Sequence, residues 1–155
     1  MGEILKKRLK QPKFQGPDQE AILNLMVTVS YIEDIFTKSC AEHGISHQQY
    51  NILRILRGVH PNGHPCGEIA DRMLSRAPDI TRRLDRLVKL GLVQRDRLDE
   101  DRRVVISRIT PKGLELLKGM DSEVQKGNGI ITQRLSPSEC LEISRLCEKI
   151  YGDSV

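Results

Sequence analysis

Apolar residues recur at three- and four-residue steps through most of this chain, and the period shortens to two in one region. Ile22, Leu25, Met26, Val29, Ile32, Ile35 and Phe36 form one stripe. That pattern predicts a helix from an Asp18 cap to about Glu42, ended by His43-Gly44. Ser46, with Gln49 three residues on, is a capping box for a second helix with Tyr50, Leu53, Ile55 and Leu56 on its apolar face. Turn residues then crowd the run from Gly58 to Pro65, which predicts a loop and a very short strand near His64. Cys66 or Gly67 opens a short helix with Ile69, Ala70, Met73 and Leu74 inward, and a turn follows at Ser75-Arg76-Ala77. Pro78 suits the first turn of the next helix, whose inner face is Ile80, Leu84, Leu87 and Val88 and whose stop is Gly91. Next come a strand from Leu92 to Arg95, a charged loop from Asp96 to Arg102 and a β-branched strand from Val104 to Ile109. Thr110-Pro111 starts another helix with Leu114, Leu117, Met120 and Val124 in a stripe, and Gly127-Asn128-Gly129 predicts a break in it. Ser136-Pro137-Ser138-Glu139 opens the last helix, striped by Ile143, Leu146, Cys147 and Ile150. The first stretch, 1–17, is basic and punctuated by Gly and Pro, and reads as an extended arm.

Composition narrows the class. Hydrophobic residues make up 38% and charged residues 30% of 155, the balance of a soluble globular chain. Aromatics are only 3%, so the core must be Leu, Ile, Val and Ala, which favours helices. The net charge of +4 says less than its placement. Between Arg72 and Arg108 eleven basic residues meet six acidic ones, whereas the remainder holds fourteen basic and fifteen acidic. A local excess of this kind is the footprint of a polyanion partner. The stretch from Ala21 to Phe36 is too short and too polar to span a membrane.

Cys40, Cys66, Cys140 and Cys147 form no CxxC pair and no secretory signal precedes them, so a reduced, cytoplasmic chain is expected. Cys40, His43 and His47 lie close in sequence, as do His60, His64 and Cys66, yet zinc usually needs three or four ligands with a second shell and neither group supplies an obvious remaining carboxylate at helix spacing, so no metal is expected. Cys66 at a helix N-terminus is a candidate redox switch, against the alternative of a small buried residue. No phosphate loop or cofactor fingerprint is present, so neither an enzyme nor a bound cofactor is expected.

Two short helices joined by a tight turn, followed by a strand, a basic loop and a strand, predict a winged helix-turn-helix. The fold class is therefore mainly α with a small β-hairpin wing, α+β. Its second helix has the width of a DNA major groove. Arg82 and Arg86 fall one turn apart on its outer side, and the arginine fork matches guanine edges and phosphates. Arg102 and Arg103 at the far end of the hairpin can enter a minor groove, with Asp101 bracing the guanidinium. Ser75, Arg76, Pro78, Asp79 and Thr81 complete the candidate DNA surface. A winged module for protein or RNA remains an alternative.

The stretch from Pro65 to Gly113 resembles the MarR family of bacterial regulators, and the likeness covers nearly the whole chain because the flanking helices have the expected lengths and order. Thr81-Arg82, Asp85-Arg86-Leu87 and Gly91-Leu92-Val93 are similar to its recognition helix and exit, Asp101-Arg102-Arg103 to its wing, and Ile109-Thr110 with Gly113 to the start of its next helix. Leu98 and Asp99 stand where the family wing often has Asp-Pro, and Pro78 and Asp79 where small hydroxyl residues are common. The resemblance implies a transcriptional regulator, a repressor, that binds a near-palindromic operator as a homodimer. It implies four parts: an arm at 1–17, a dimerisation helix at 18–44, the winged unit at 45–110 and dimerisation helices at 111–155. It also implies a small aromatic or phenolic effector in a cleft, for which Tyr31, Tyr50, Arg54, Ile55 and His60 are the candidates by position. Sensing through a thiol or a metal on the same fold is the alternative.

Overall fold

In a computed structural model, which describes residues 2–75, 79–97 and 104–152, the core gathers around the middle of the chain. The elements in order are α1 (Glu3–Leu9), α2 (Pro17–Glu42), α3 (His47–Gly58), β1 (His64–Pro65), α4 (Cys66–Asp71), α5 (Ile80–Lys89), β2 (Val93–Arg97), β3 (Val105–Ile109), α6 (Pro111–Thr132) and α7 (Pro137–Tyr151). Among the described residues the strands form one antiparallel sheet in the order β1-β3-β2.

Leu53 and Leu56 of α3, Ile69 of α4, Leu84 and Leu87 of α5, Val93 of β2, and Leu117 and Met120 of α6 are all buried together. The inner faces of the helix-turn-helix thus close on the sheet and on α6. Both capping boxes form: Ser46 Oγ accepts from the Gln49 amide and Ser136 Oγ from the Glu139 amide. β1 is only His64–Pro65, held to Ser107 and Ile106 of β3.

Four details depart from the pattern. The N-terminal stretch contains a helix, α1, where an extended arm is expected, and it buries Leu5. α2 starts at Pro17 after an extended Gly16, so Asp18 lies in its first turn and does not cap it. α6 runs unbroken through Gly127 and Gly129. A Cβ at Gly127 would meet Phe36 and Ile35 of α2 at ordinary contact distance, so α6 packs on α2 here and that packing outweighs the low helix propensity of glycine. Leu74 is 80% exposed, and Val88 is also exposed.

The exit of α5 is bolted to the start of α6. Thr110 Oγ1 donates to the Gly91 carbonyl at 2.7 Å and accepts from the Gly113 amide at 3.1 Å. Lys112 Nζ donates to the Leu90 carbonyl at 2.9 Å, placing a cation at the negative end of α5. Gly113 itself presses on the residue before β2 and on the end of β3, because a Cβ there would collide with the Leu92 carbonyl and come within 2.7 Å of Ile109 Cγ1. Gly113→Ala is therefore expected to cost about 2–3 kcal/mol and to lower the melting temperature by about 4–12 °C. An unchanged melt would show that the helix can move off the strand at no cost.

Most of α2 and all of α7 lie outside this core. Ile22, Met26 and Val29 of α2 are more than half exposed, at 56%, 64% and 54%, and α7 buries no residue within the chain. These stripes are apolar and uncovered, which is how helices look when a second surface is meant to cover them. No described helix is long and apolar enough to cross a membrane.

Candidate nucleic-acid interface

α5 is amphipathic by construction. Ile80, Leu84 and Leu87 are buried, while Arg82, Arg86 and Lys89 are exposed on the opposite side. Arg82 and Arg86 are four residues apart and so stack one turn above the other. Both also border a cleft of about 520 Å³ between α5 and the C-terminal end of α2, which includes Asp79, Arg83, Ala41 and Ser46.

Asp79 precedes the helix, but its side chain caps no amide. Arg83 Nε instead donates to Asp79 Oδ1 at 2.7 Å, and this hydrogen bond holds the carboxyl below the usual carboxylate range. Asp79 is thus ionised but largely offset by Arg83, so it repels phosphate less than a lone carboxylate would. Thr81 is exposed and its hydroxyl lies 3.7 Å from Cys66 Sγ. Ser75 is exposed at the bend that leads toward α5. Arg76, Pro78, Asp101, Arg102 and Arg103 lie outside the described residues.

Two arginines of the sheet were not singled out by the sequence. Arg95 Nη1 donates to Asp85 Oδ1 of α5 at 2.6 Å. Arg108 Nη1 donates to Asp96 Oδ2 at 2.6 Å, and its Nε donates to the Asn62 carbonyl at 3.0 Å, tying β3 to β2 and to the turn before β1. The two-residue alternation of β2 carries the missed signal, since it puts Arg95 on the same face as the buried Val93.

The effector candidates separate. Tyr50 and Arg54 share a cleft of about 280 Å³ with Ile32, Phe36, His47 and Arg57. The Phe36 and His47 rings stack there, with centroids 5.4 Å apart. Burial pushes the His47 pKa down and the Tyr50 pKa up, so both rings are neutral near pH 7. Tyr31 instead borders a groove with Ile4, Arg8 and Arg134. Ile55 packs against the core, and His60 is an exposed turn residue.

The cysteine and histidine groups do not converge. Cys40 is buried and its thiol is pushed up to about 11, mainly by burial. His43 Nε2 and Ser39 Oγ both meet Glu123 Oε2, at 3.1 and 2.8 Å, which latches α2 to α6. Among the described residues no group of three or more His, Cys, Asp or Glu side chains is set to hold a metal ion.

Residues 45–105 match the family model described as the MarR family. A solved MarR transcription factor from Planctomyces limnophilus is 42% identical, with a TM-score of 0.68 over 88% of this chain and 98% of that one. This chain belongs to the MarR family. The HTH-type transcriptional regulator MhqR of Bacillus subtilis is 31% identical over 102 residues, 63% of this chain and 69% of that protein. Sco3205 of Streptomyces coelicolor, a MarR family regulator solved in complex with DNA, shares the fold at 19% identity, with a TM-score of 0.74 over 91% of each chain. MarR proteins are transcription regulators and not enzymes, and this MarR chain is a mostly helical winged-helix member of that group.

Proposed function

We propose that this MarR-family regulator binds a near-palindromic DNA operator as a homodimer and represses by occupying it. The observation that carries the reading is the exposed pair Arg82 and Arg86 on a helix whose other side buries Ile80, Leu84 and Leu87 and whose exit is bolted to α6. Such a helix enters a major groove as a rigid reader, and its arginines reach guanine edges or phosphates. The hairpin supplies a second reader, Arg103, for the adjacent minor groove. Support comes also from the uncovered apolar stripes of α2 and α7, which fit a twofold pairing region, and from the DNA complex of the similarly folded Sco3205.

The experiment is an electrophoretic shift on duplexes from the DNA flanking the gene, repeated across a salt series. A steep loss of affinity with salt and a preference for one duplex are expected. No binding to any such duplex at low salt would overturn the reading. Arg103→Ala is expected to weaken binding by about tenfold with an unchanged melting temperature. Unchanged affinity in that variant would remove the wing from the mechanism.

A small aromatic effector is the second part of the reading. The cleft around the Phe36–His47 stack offers apolar walls, with Arg54 at hand for an acidic group while Arg57 donates to Asp121 in the same lining. Leu74 borders this cleft and also a neighbouring one that includes Met73 and Ser75, the residues leading toward the recognition helix. An occupant therefore bears on the segment that aims α5, and biasing its position lowers DNA affinity. The protein acts on DNA in the cytoplasm.

A further inference from the structure

The wing and the recognition helix are separate tools, so something must hold the angle between them. Alternation along β2 sends Val93, Arg95 and Arg97 to the face that covers α5. Val93 enters the core at 2% exposure, and Arg97 is exposed. Arg95 lies between these two and spans one turn of α5. Its Nη1 donates to Asp85 Oδ1 at 2.6 Å and its Nη2 to the Thr81 carbonyl at 3.4 Å. Ser107, its partner across the ladder in β3, is fully buried, and β2 is the edge strand of the sheet, so at this level it is held by β3 along one edge and by Arg95 on its α5 face. Arg95 is thus the outermost tie between β2 and α5 among the described residues. A hairpin rises about 3.3 Å per residue, so an angular error at this root grows with each residue beyond it.

The same bridge governs the charge on the helix. Asp85 is three residues after Arg82, next to Arg86 and four before Lys89. Carboxylates pair with cations at those spacings along a helix. Held by Arg95, Asp85 faces the sheet and leaves Arg82 and Lys89 free to meet DNA. Released, it competes for them and adds a negative charge to a surface that must approach phosphate.

We propose that Arg95 is a positioning residue for DNA recognition. It sets the angle between wing and helix and sequesters Asp85, without itself touching DNA. This rests on the DNA-binding reading above. An arginine that contacts a phosphate contributes to the salt dependence of binding whatever the state of Asp85, whereas one that sequesters Asp85 affects it only while Asp85 is charged. An ion pair this exposed also adds little to stability.

The test measures affinity for one duplex across a salt series, with melting curves, for the wild-type dimer, Arg95→Met, Arg95→Lys and the double variant Arg95→Met/Asp85→Asn. Arg95→Met keeps the stem and removes the fork. It is expected to weaken binding about threefold to tenfold with a melting temperature within a few degrees, and the double variant is expected to keep the wild-type salt slope. Arg95→Lys recovers part of the loss, and so does adding Asp85→Asn to Arg95→Met. A slope smaller by about one that persists in the double variant, where Asp85 carries no charge, would make Arg95 a phosphate contact and overturn the proposal. So would unchanged affinity, or a loss of affinity that only follows a loss of folded protein in both single variants. No recovery on adding Asp85→Asn would overturn the sequestering role. If the wild-type protein binds no duplex, the DNA-binding reading itself fails. If it binds and Arg95→Met matches it, only the role of Arg95 fails.

Discussion

Replacing Arg82 and Arg86 together with alanine is expected to lower operator affinity by at least about thirtyfold while the fold stays intact. Each arginine at a groove contributes about 1–3 kcal/mol, and two act on the same half-site. Neither takes part in the core: both are exposed, and α5 is held by Ile80, Leu84 and Leu87. The melting temperature is therefore expected to stay within a few degrees. Leu84→Ala provides the contrast, because emptying that fully buried site costs about 2–5 kcal/mol of stability and lowers DNA affinity only through unfolding. The salt series separates two ways in which the arginines act. Lost phosphate contacts flatten the slope by about one each, whereas lost base contacts relax discrimination between duplexes at a constant slope. If the double variant binds as the wild type does, α5 is not the reader.

The second large effect is on assembly. Leu146→Glu with Ile150→Glu is expected to yield a folded monomer that has lost most of its operator affinity. These side chains are 44% and 70% exposed within one chain, so charging them does not disturb its core. In a dimer they would be buried, and unpaired carboxylates in an apolar interface are costly. A monomer engages one half-site and loses the gain from a linked second contact, which is commonly on the order of a hundredfold or more. Sedimentation at micromolar concentration, with circular dichroism on the same samples, measures this. A variant that stays dimeric would move the interface off α7, and a wild-type protein that sediments as a monomer would remove the paired arrangement altogether.

The amphipathic stripes and caps made most of the fold legible. Ser46 with Gln49, Thr110 with Gly113, and Ser136 with Glu139 mark helix starts because each cap is a contact between near neighbours. Gly127 misled because what holds the helix through it is remote: α6 packs there on Phe36 and Ile35 of α2, a contact that no local window contains. α1 was hidden by the basic run around it, with Leu5 as its one buried anchor. On the candidate site, the outward placement of Arg82 and Arg86 followed from the period of α5. Arg83 holding Asp79, and Arg95 holding Asp85, did not follow as readily. Charge in sequence does not show which carboxylate a guanidinium will take, and the second pair joins a helix to a strand.

The most direct test of the paired-reader account is selection of duplexes from a random pool by the purified protein. The account predicts enrichment of an inverted repeat whose half-site centres lie about one helical turn, roughly 34–36 Å, apart. It also predicts that Arg82→Ala/Arg86→Ala fails to enrich that repeat. Enrichment of a single asymmetric site, or of no sequence at all, would contradict it.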